Sequence, residues 1–252
     1  MSLEHRDLKL EAQLQDAIDS DYCVWVVGDI HGYFKTLEKL IFQLDMKKGH
    51  KLISLGDMID RGPRGAEVLE LFRENPSFHA VKGNHEQLMH KSISIGKNKH
   101  WKSWLKFGGV ETLSSLGVDR KEGHLLDSKW SGFLSSLPSE IILDRFRLVH
   151  GGFEPSVPLE KQRDQDRLWS RGIFQASEIL DNERQIIVGH TPVQEIEGHS
   201  GSSPWCSKIM LEDGRPAIIG IDTGICLEPE LNPTLTAIEL GSGNILQIPR
   251  LD

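Results

Sequence analysis

Five times along this chain a short apolar run stops and a polar cluster follows at once. Tyr22 to Val27 (YCVWVV) precedes Gly28-Asp29-Ile30-His31-Gly32, Lys51 to Leu55 precedes Gly56-Asp57-Met58-Ile59-Asp60-Arg61-Gly62, and Phe78 to Val81 precedes Gly83-Asn84-His85-Glu86. RLV leads into His150-Gly151-Gly152, and IIV leads into Gly189-His190-Thr191. Short β-rich runs bounded by glycine are strand signals. Thr36 to Leu44, Ala66 to Phe72 and His85 to Ile95 read as helices, the first with Leu37, Leu40, Ile41 and Leu44 at helical spacing. Strand, helix, strand, helix, strand at this pitch predicts βαβ units and a parallel core. Such a core gathers the polar clusters along one sheet edge, at the carboxyl ends of the strands.

The remaining chain is less regular. Residues 1–20 read as an N-terminal helical extension carrying Leu8, Leu10, Leu14 and Ile18, and 21–252 as one domain. Within it, residues 97–130 read as a helical insertion, with Trp101 and Trp104 as its core. Ile141 to Val149 predicts an edge hairpin or two short strands. Ile209 to Leu211 and Ala217 to Ile221, turned at Glu212-Asp213-Gly214, predict a hairpin, and Leu235 to Leu240 with Ile245 to Ile248 predict another. Asp164 and Asp166 read as a solvated acidic loop.

A chain of 252 residues buries one sizeable core. Its net charge of −8 argues against a nonspecific nucleic-acid binder, which needs a basic stripe. It leaves room for a phosphorylated substrate, because bound metals reverse the sign of a cleft. The first 21 residues lack the apolar stretch of a signal peptide, and no apolar run approaches the roughly 20 residues that span a bilayer. Three cysteines without paired spacing, Cys23, Cys206 and Cys226, are expected to be reduced, buried small hydrophobes in a cytoplasmic protein. His5, His50, His79, His90, His100, His124 and His199 lie outside every cluster and read as surface or structural groups.

The five clusters together supply Asp, His, Asp, Asn, His and His, a donor set for two divalent cations. Two metals side by side are a known device for phosphoester hydrolysis. Asp57 is the candidate bridge. Asp29 and His31, two residues apart on extended chain, point the same way and share the first cation with Asp57. Asn84, His150 and His190 complete the second. The mixed O and N set suits Mn, Fe or Zn better than Ca or Mg. A hydroxide bridging both metals is the expected nucleophile. Arg61 offers a guanidinium fork to the phosphoryl oxygens. His85, beside Asn84, is the expected general acid, with Asp60 orienting its other nitrogen.

GDIHG, GDMIDRG, GNHE, RLVHGG and GHT resemble the signature of the phosphoprotein-phosphatase family, the metal-dependent serine/threonine phosphatases, over Asp29 to Thr191. Trp104 to Gly109, Thr112-Leu113 and Ile221-Asp222-Thr223-Gly224 are similar to segments of its compact bacterial and phage branch. The resemblance implies a calcineurin-like metallophosphoesterase fold of α/β class, a β-sandwich flanked by helices in four layers. It implies Mn as the activating metal, the same six ligands, and the His85–Asp60 acid pair. It adds Arg171, in Leu168-Trp169-Ser170-Arg171, as a second phosphate-binding arginine. Two departures stand out. Pro192 occupies the place where broader esterases carry a further ligand histidine, which favours monoesterases over diesterases. The Tyr-containing loop that closes the eukaryotic branch has no counterpart near Ile221 to Leu227. The expected substrates are phosphoserine or phosphothreonine proteins or a small phosphoester, with no nucleic-acid or membrane partner. The alternative is symmetrical dinucleoside-polyphosphate hydrolysis, since bacterial hydrolases of that kind are similar to the family. A third reading, a non-catalytic scaffold, requires a broken ligand, and none is broken.

Overall fold

The computed structural model describes residues 5–94, 99–120, 122 and 126–252. Two five-stranded mixed sheets face each other. The first contains β1 (Val24–Val27), β2 (Lys51–Ser54), β3 (Phe78–Ala80), β9 (Thr234–Glu239) and β10 (Ile245–Pro249), in the order β10-β9-β1-β2-β3. The second contains β4 (Glu140–Ile142), β5 (Phe146–Val149), β6 (Gln185–Val188), β7 (Trp205–Cys206) and β8 (Ile218–Gly220), in the order β4-β5-β6-β8-β7. The centre of each sheet is parallel: β1 with β2 and β2 with β3, then β5 with β6 and β6 with β8.

Alternation along each strand decides which core a side chain enters. Val24, Val26, Ile53, Leu148, Ile187, Ile219 and Ile238 meet between the sheets. Val27, Leu52 and Ala237 turn the other way, toward α2 (Phe34–Leu44), α3 (Gly65–Glu74) and α4 (Asn84–Ser94). Val149, Ile186, Val188 and Ile218 face outward under Phe153, Ile173 and neighbouring irregular chain. Within α2, Leu37, Leu40 and Leu44 are buried on one face, each worth about 2 kcal/mol of apolar burial. The helix stops where Asp45 turns left-handed.

α1 (Leu8–Asp19) starts at Asp7, whose carboxylate accepts from the amides of Lys9 and Leu10. It drops Leu14 and Ala17 into the layer between the sheets. Buried Glu11 accepts the Ile142 amide at 2.8 Å, tying the edge strand β4 to the helix. No helix among the described residues is long and apolar enough to cross a membrane.

Most of the described insertion is helical, with turn and irregular chain at 116–120. It runs through α5 (Lys99–Trp104), a π-helical turn (Leu105–Gly109), α6 (Val110–Ser115) and into α7 (Asp127–Ser136). Trp101 and Trp104 are buried as expected. His124 lies outside the described residues.

Two expectations fail and one holds in part. Ile209 to Leu211 does turn back on Arg215 to Ala217, the Ala217 amide donating to Ile209 O and the Leu211 amide to Arg215 O, both at 2.8 Å, but the ladder is limited to one bridge, Met210 to Pro216, and β8 pairs antiparallel with Trp205–Cys206. Pro216 has no amide to extend a ladder. Asp164 and Asp166 do not form a loop but open α8 (Asp164–Trp169), where the buried Asp166 carboxylate accepts the Arg163 amide and guanidinium. Finally, Cys206 is exposed while Cys23 and Cys226 are half-buried; all three are free thiols. Cys206 lies on the short edge strand β7, Cys226 in the loop after β8, and Cys23 just before β1, so none is enclosed by the core.

Candidate metal centre

Each expected ligand emerges just after a strand of the parallel part of a sheet. β1 runs into Asp29 and His31, β2 into Asp57, β3 into Asn84 and His85, β5 into His150, and β6 into His190. The two parallel centres aim these ends at one place. Ligand atoms of His31, Asp57 and His85 lie within 4.8 Å of one another, as do those of Asp57, His150 and His190. Asp57 belongs to both groups, the geometry of a bridging carboxylate.

Local backbone is bent to achieve this. His31, Asp57, Asp60, Arg61 and His190 all adopt left-handed φ, between 46° and 70°. Non-glycine residues held there are strained and concentrate at functional sites. Gly83 lies so close to the Asp57 carboxylate and to Glu86 that a Cβ at this position would overlap both.

The imidazoles are oriented by carbonyls. His31 Nδ1 donates to Ile59 O at 2.9 Å, and His150 Nδ1 donates to Leu55 O at 2.8 Å. In each ring Nε2 therefore faces the centre, as metal-ligating histidines require. His31 Nε2 is 3.9 Å from Asp29 Oδ2 and 3.7 Å from Asp57 Oδ2. His150 Nε2 is 3.3 Å from Asp57 Oδ1 and 2.8 Å from Asn84 Oδ1.

The charges of this cluster do not balance by themselves. Burial, followed by the charge of Asp222, holds the Asp29 carboxyl well above its usual range. Its Oδ2 is buried with no hydrogen-bond partner among the described residues. Burial, then His150, pushes His190 down to about 3. Burial opposes protonation of His150, but Asp57 outweighs it and pushes the imidazole up to about 10. An orphaned carboxylate oxygen beside a shared carboxylate and converging imidazoles fits divalent cations. A cation must displace the His150 proton, so loading is expected to release protons and tighten as pH rises. Calorimetric titration of metal-stripped protein with a divalent cation, in buffers of different ionisation enthalpy, measures this; a heat independent of buffer and pH would contradict it.

Around the cluster stand the remaining groups. His85 Nδ1 donates to Asp60 Oδ2 at 2.7 Å. Asp60 is fully buried and also accepts from Trp104 Nε1 at 3.0 Å and Thr112 Oγ1 at 2.6 Å. Burial lowers the His85 pKa, but Asp57 and Asp60 raise it by more, so it stands above 6.5. Arg61 places Nη1 3.1 Å from His31 Nε2 and Nη2 3.3 Å from His85 Nε2. Arg171 is apart from this group. It is about half exposed, and its guanidinium meets Glu195 at 2.6 Å on the rim.

A profile of the calcineurin-like phosphoesterase family matches residues 23–220. The chain belongs to that family. It is similar, 44% identical over 79 residues, to serine/threonine-protein phosphatase 2 of Escherichia coli (strain K12), a stretch covering 31% of this chain and 36% of that protein. It is also 31% identical over 160 residues to the symmetrical bis(5'-nucleosyl)-tetraphosphatase of Vibrio parahaemolyticus, covering 62% of this chain and 53% of the relative. The matched stretches thus span about a third to a half of these relatives' lengths. A solved serine/threonine phosphatase from Saccharomyces cerevisiae superposes with a TM-score of 0.57 at 16% identity, over 97% of this chain and 90% of that one, a likeness of fold. The observed architecture, two mixed sheets flanked by helices, is that of the family.

Several groups of this metallophosphoesterase site had no assigned role in the sequence. Glu86 accepts three buried amides, from Asp57 at 2.8 Å, Met58 at 2.9 Å and Gly83 at 2.9 Å, clamping two ligand loops together. Glu86→Ala is expected to leave those amides unpaired, costing about 3 kcal/mol or more. For a domain of this size that lowers Tm by roughly 6–12 °C. A thermal melt checks it, and an unchanged Tm would show that the clamp is dispensable. Asp222, after β8, is buried beside Asp29, and burial pushes it up to about 6. Its signal was available: Gly220-Ile221-Asp222 repeats the strand-then-carboxylate pattern of β1.

Proposed function

We propose that this metallophosphoesterase is a phosphomonoesterase with a dinuclear centre, acting on phosphoserine and phosphothreonine proteins. The observation that carries the reading is the shared position of Asp57, between His31 on one side and His150 with His190 on the other, and beside the His85–Asp60 pair. Asp29, His31 and Asp57 would hold one cation; Asp57, Asn84, His150 and His190 would hold the other. Mn is the proposed metal, with Fe or Zn compatible with the same donors. When bound, the cations supply Lewis acidity and an activated water near neutral pH.

The protein's own groups do the rest. Arg61 presents two guanidinium nitrogens toward the centre and neutralises phosphoryl charge. His85 carries a proton at Nε2, kept there by Asp60 behind Nδ1, and gives it to the leaving oxygen. Arg171 is proposed as a second phosphate contact once Glu195 releases it. A cytoplasmic setting with no nucleic-acid or membrane partner accords with this reading and with the net charge of −8.

The second reading, symmetrical dinucleoside-polyphosphate hydrolysis, draws on the Vibrio relative, whose match covers twice as much of this chain as the Escherichia coli one, 62% against 31%. One paired assay separates them. Metal-stripped protein reloaded with Mn is given a phosphoserine peptide or diadenosine tetraphosphate. Phosphate from the peptide with little nucleotide product supports the first reading, and the reverse supports the second. Inactivity on both would overturn the phosphoesterase assignment for these substrates.

A further inference from the structure

Away from the metal centre, part of the outer face of the second sheet carries buried charge in place of an apolar layer. Glu140 on β4 pairs in register with Val149, and Ile142 with Arg147, so all four side chains share that face. α8 adds Arg167 from the next layer. The Glu140 carboxylate accepts from Arg147 Nη1 and from Arg167 Nε, the latter at 2.6 Å. Arg147 Nε donates to Asp181 at 2.8 Å, and Arg167 Nη1 donates to Gln162 O at 2.8 Å. These bonds occupy two nitrogens of each guanidinium. The third, Nη2, makes no hydrogen bond among the described residues, and in neither arginine is it sealed from solvent. Yet the Arg147 side chain is only 10% exposed and that of Arg167 only 5%. Both arginines line a cavity of about 680 Å³. Arg6 and Arg184, partly buried, also line it, and Ile142, Leu159 and Leu180 add apolar wall. No residue of the two metal-binding groups lines it.

We propose that this cavity is a second anion site, separate from the metal centre, which takes a small phosphorylated molecule. Its phosphate accepts from Nη2 of Arg147 and of Arg167, and its body packs on Ile142, Leu159 and Leu180. An ion-pair cluster that served the fold alone would need neither spare donors nor a space in front of them, since buried polar groups are ordinarily satisfied within the protein. Glu140 does not line the cavity. It holds the two guanidinium planes in place, so the donors are ordered before any ligand arrives. A volume of this size suits a small-molecule site, for which roughly 300–1,000 Å³ is usual. Guanidinium nitrogens match the oxygens of phosphate and of carboxylate alike. A phosphate monoester carries close to two charges and three acceptor oxygens, enough to serve both buried arginines and a rim arginine together. The inference needs no step of turnover and does not depend on how the metal centre is read.

The probe is phenylphosphonate, whose carbon–phosphorus bond resists hydrolysis, titrated calorimetrically into Mn-loaded protein at low salt. Asn182 is exposed, uncharged and on the cavity wall. Asn182→Glu is expected to weaken one class of phenylphosphonate sites about tenfold, and Asn182→Lys to tighten it, through one charge acting on a dianion. Arg147→Lys keeps a cation facing Glu140 and Asp181 but loses the spare nitrogen, and is expected to weaken the same class about tenfold. Metal content and peptide turnover stay at wild-type values in all three variants, which separates this class from phosphonate held at the metals. Benzoate, with the same ring and half the charge, is expected to bind about tenfold more weakly. Asn182→Glu isotherms that superpose on wild type overturn the proposal, as does a wild type that binds no phenylphosphonate outside the metal centre. A folded Arg147→Lys that binds as wild type does, or benzoate that binds as tightly as the phosphonate, overturns it equally. Should Arg147→Lys fail to fold, the Asn182 pair decides alone.

Discussion

His85→Ala is expected to lower kcat by about 10²–10⁴-fold, the usual contribution of a positioned acid, while the protein keeps its metal and its fold. The geometry separates these effects. The only contact of His85 with the Asp57 carboxylate that is a normal hydrogen bond comes from its backbone amide, at 3.0 Å, and alanine keeps that amide. Asp60 would lose one donor but retain Trp104 and Thr112. No buried charge is left bare, so the large penalty of an unpaired carboxylate does not arise. The loss should also depend on the leaving group. An alkoxide needs its proton more than a phenolate does, so the mutant should lose more on phosphoserine than on an aryl phosphate. The pH profile offers a second readout. Because Asp57 and Asp60 hold the His85 pKa above 6.5 against burial, the wild-type kcat should fall on the alkaline side as that proton is lost. The mutant should lack this limb. Metal content measured alongside kcat decides the role. His85 also lies within 4.8 Å of the His31 and Asp57 ligand atoms, so loss of metal from the variant would make it a ligand and end its assignment as the acid.

What the sequence made legible here, and what it did not, follows from the range of each interaction. The strand-then-ligand pattern is local: a few apolar residues, a glycine, a donor. It placed Asp29, Asp57, Asn84, His150 and His190 at strand ends, where the structure has them. The pairing of His85 with Asp60 was readable for a similar reason, because both lie in those short clusters. Asp60, however, is completed by Trp104 and Thr112, which reach it from an insertion more than forty residues away, and no period in the sequence announces such a contact. Left-handed φ at His31, Asp57, Arg61 and His190 was equally hidden, since these residue types carry no turn signal as strong as glycine's. Phe107 shows the sharpest difference. By composition it belongs with Trp101 and Trp104, but Gly108 and the π-helical turn rotate it out of the core. The short β7 was unreadable because its two residues leave no alternation to detect.

The second large effect concerns the shared carboxylate. Asp57→Asn is expected to reduce activity by about 10³-fold or more. If Asp57 bridges two cations as proposed, losing its charge forfeits several kcal/mol of transition-state stabilisation, at about 1.4 kcal/mol per decade. The substitution is close to isosteric, which makes the electrostatic argument clean. The Asn Oδ1 can still accept the His85 amide, and Glu86 still accepts the Asp57-position amide at 2.8 Å, so both loops keep their shape. What disappears is the negative charge facing His31, His85 and His150 at 3.3–3.7 Å. His150 then loses the partner that holds it up to about 10. Burial, left unopposed by that charge, moves it back down, and metal loading should release fewer protons than in wild type. Metal content should fall from both groups together, because Asp57 is the residue they share. A variant that keeps both cations and full turnover would show that Asp57 bridges nothing, and the dinuclear reading would fall with it. Loss of one cation alone would confine Asp57 to a single site and make the two centres independent.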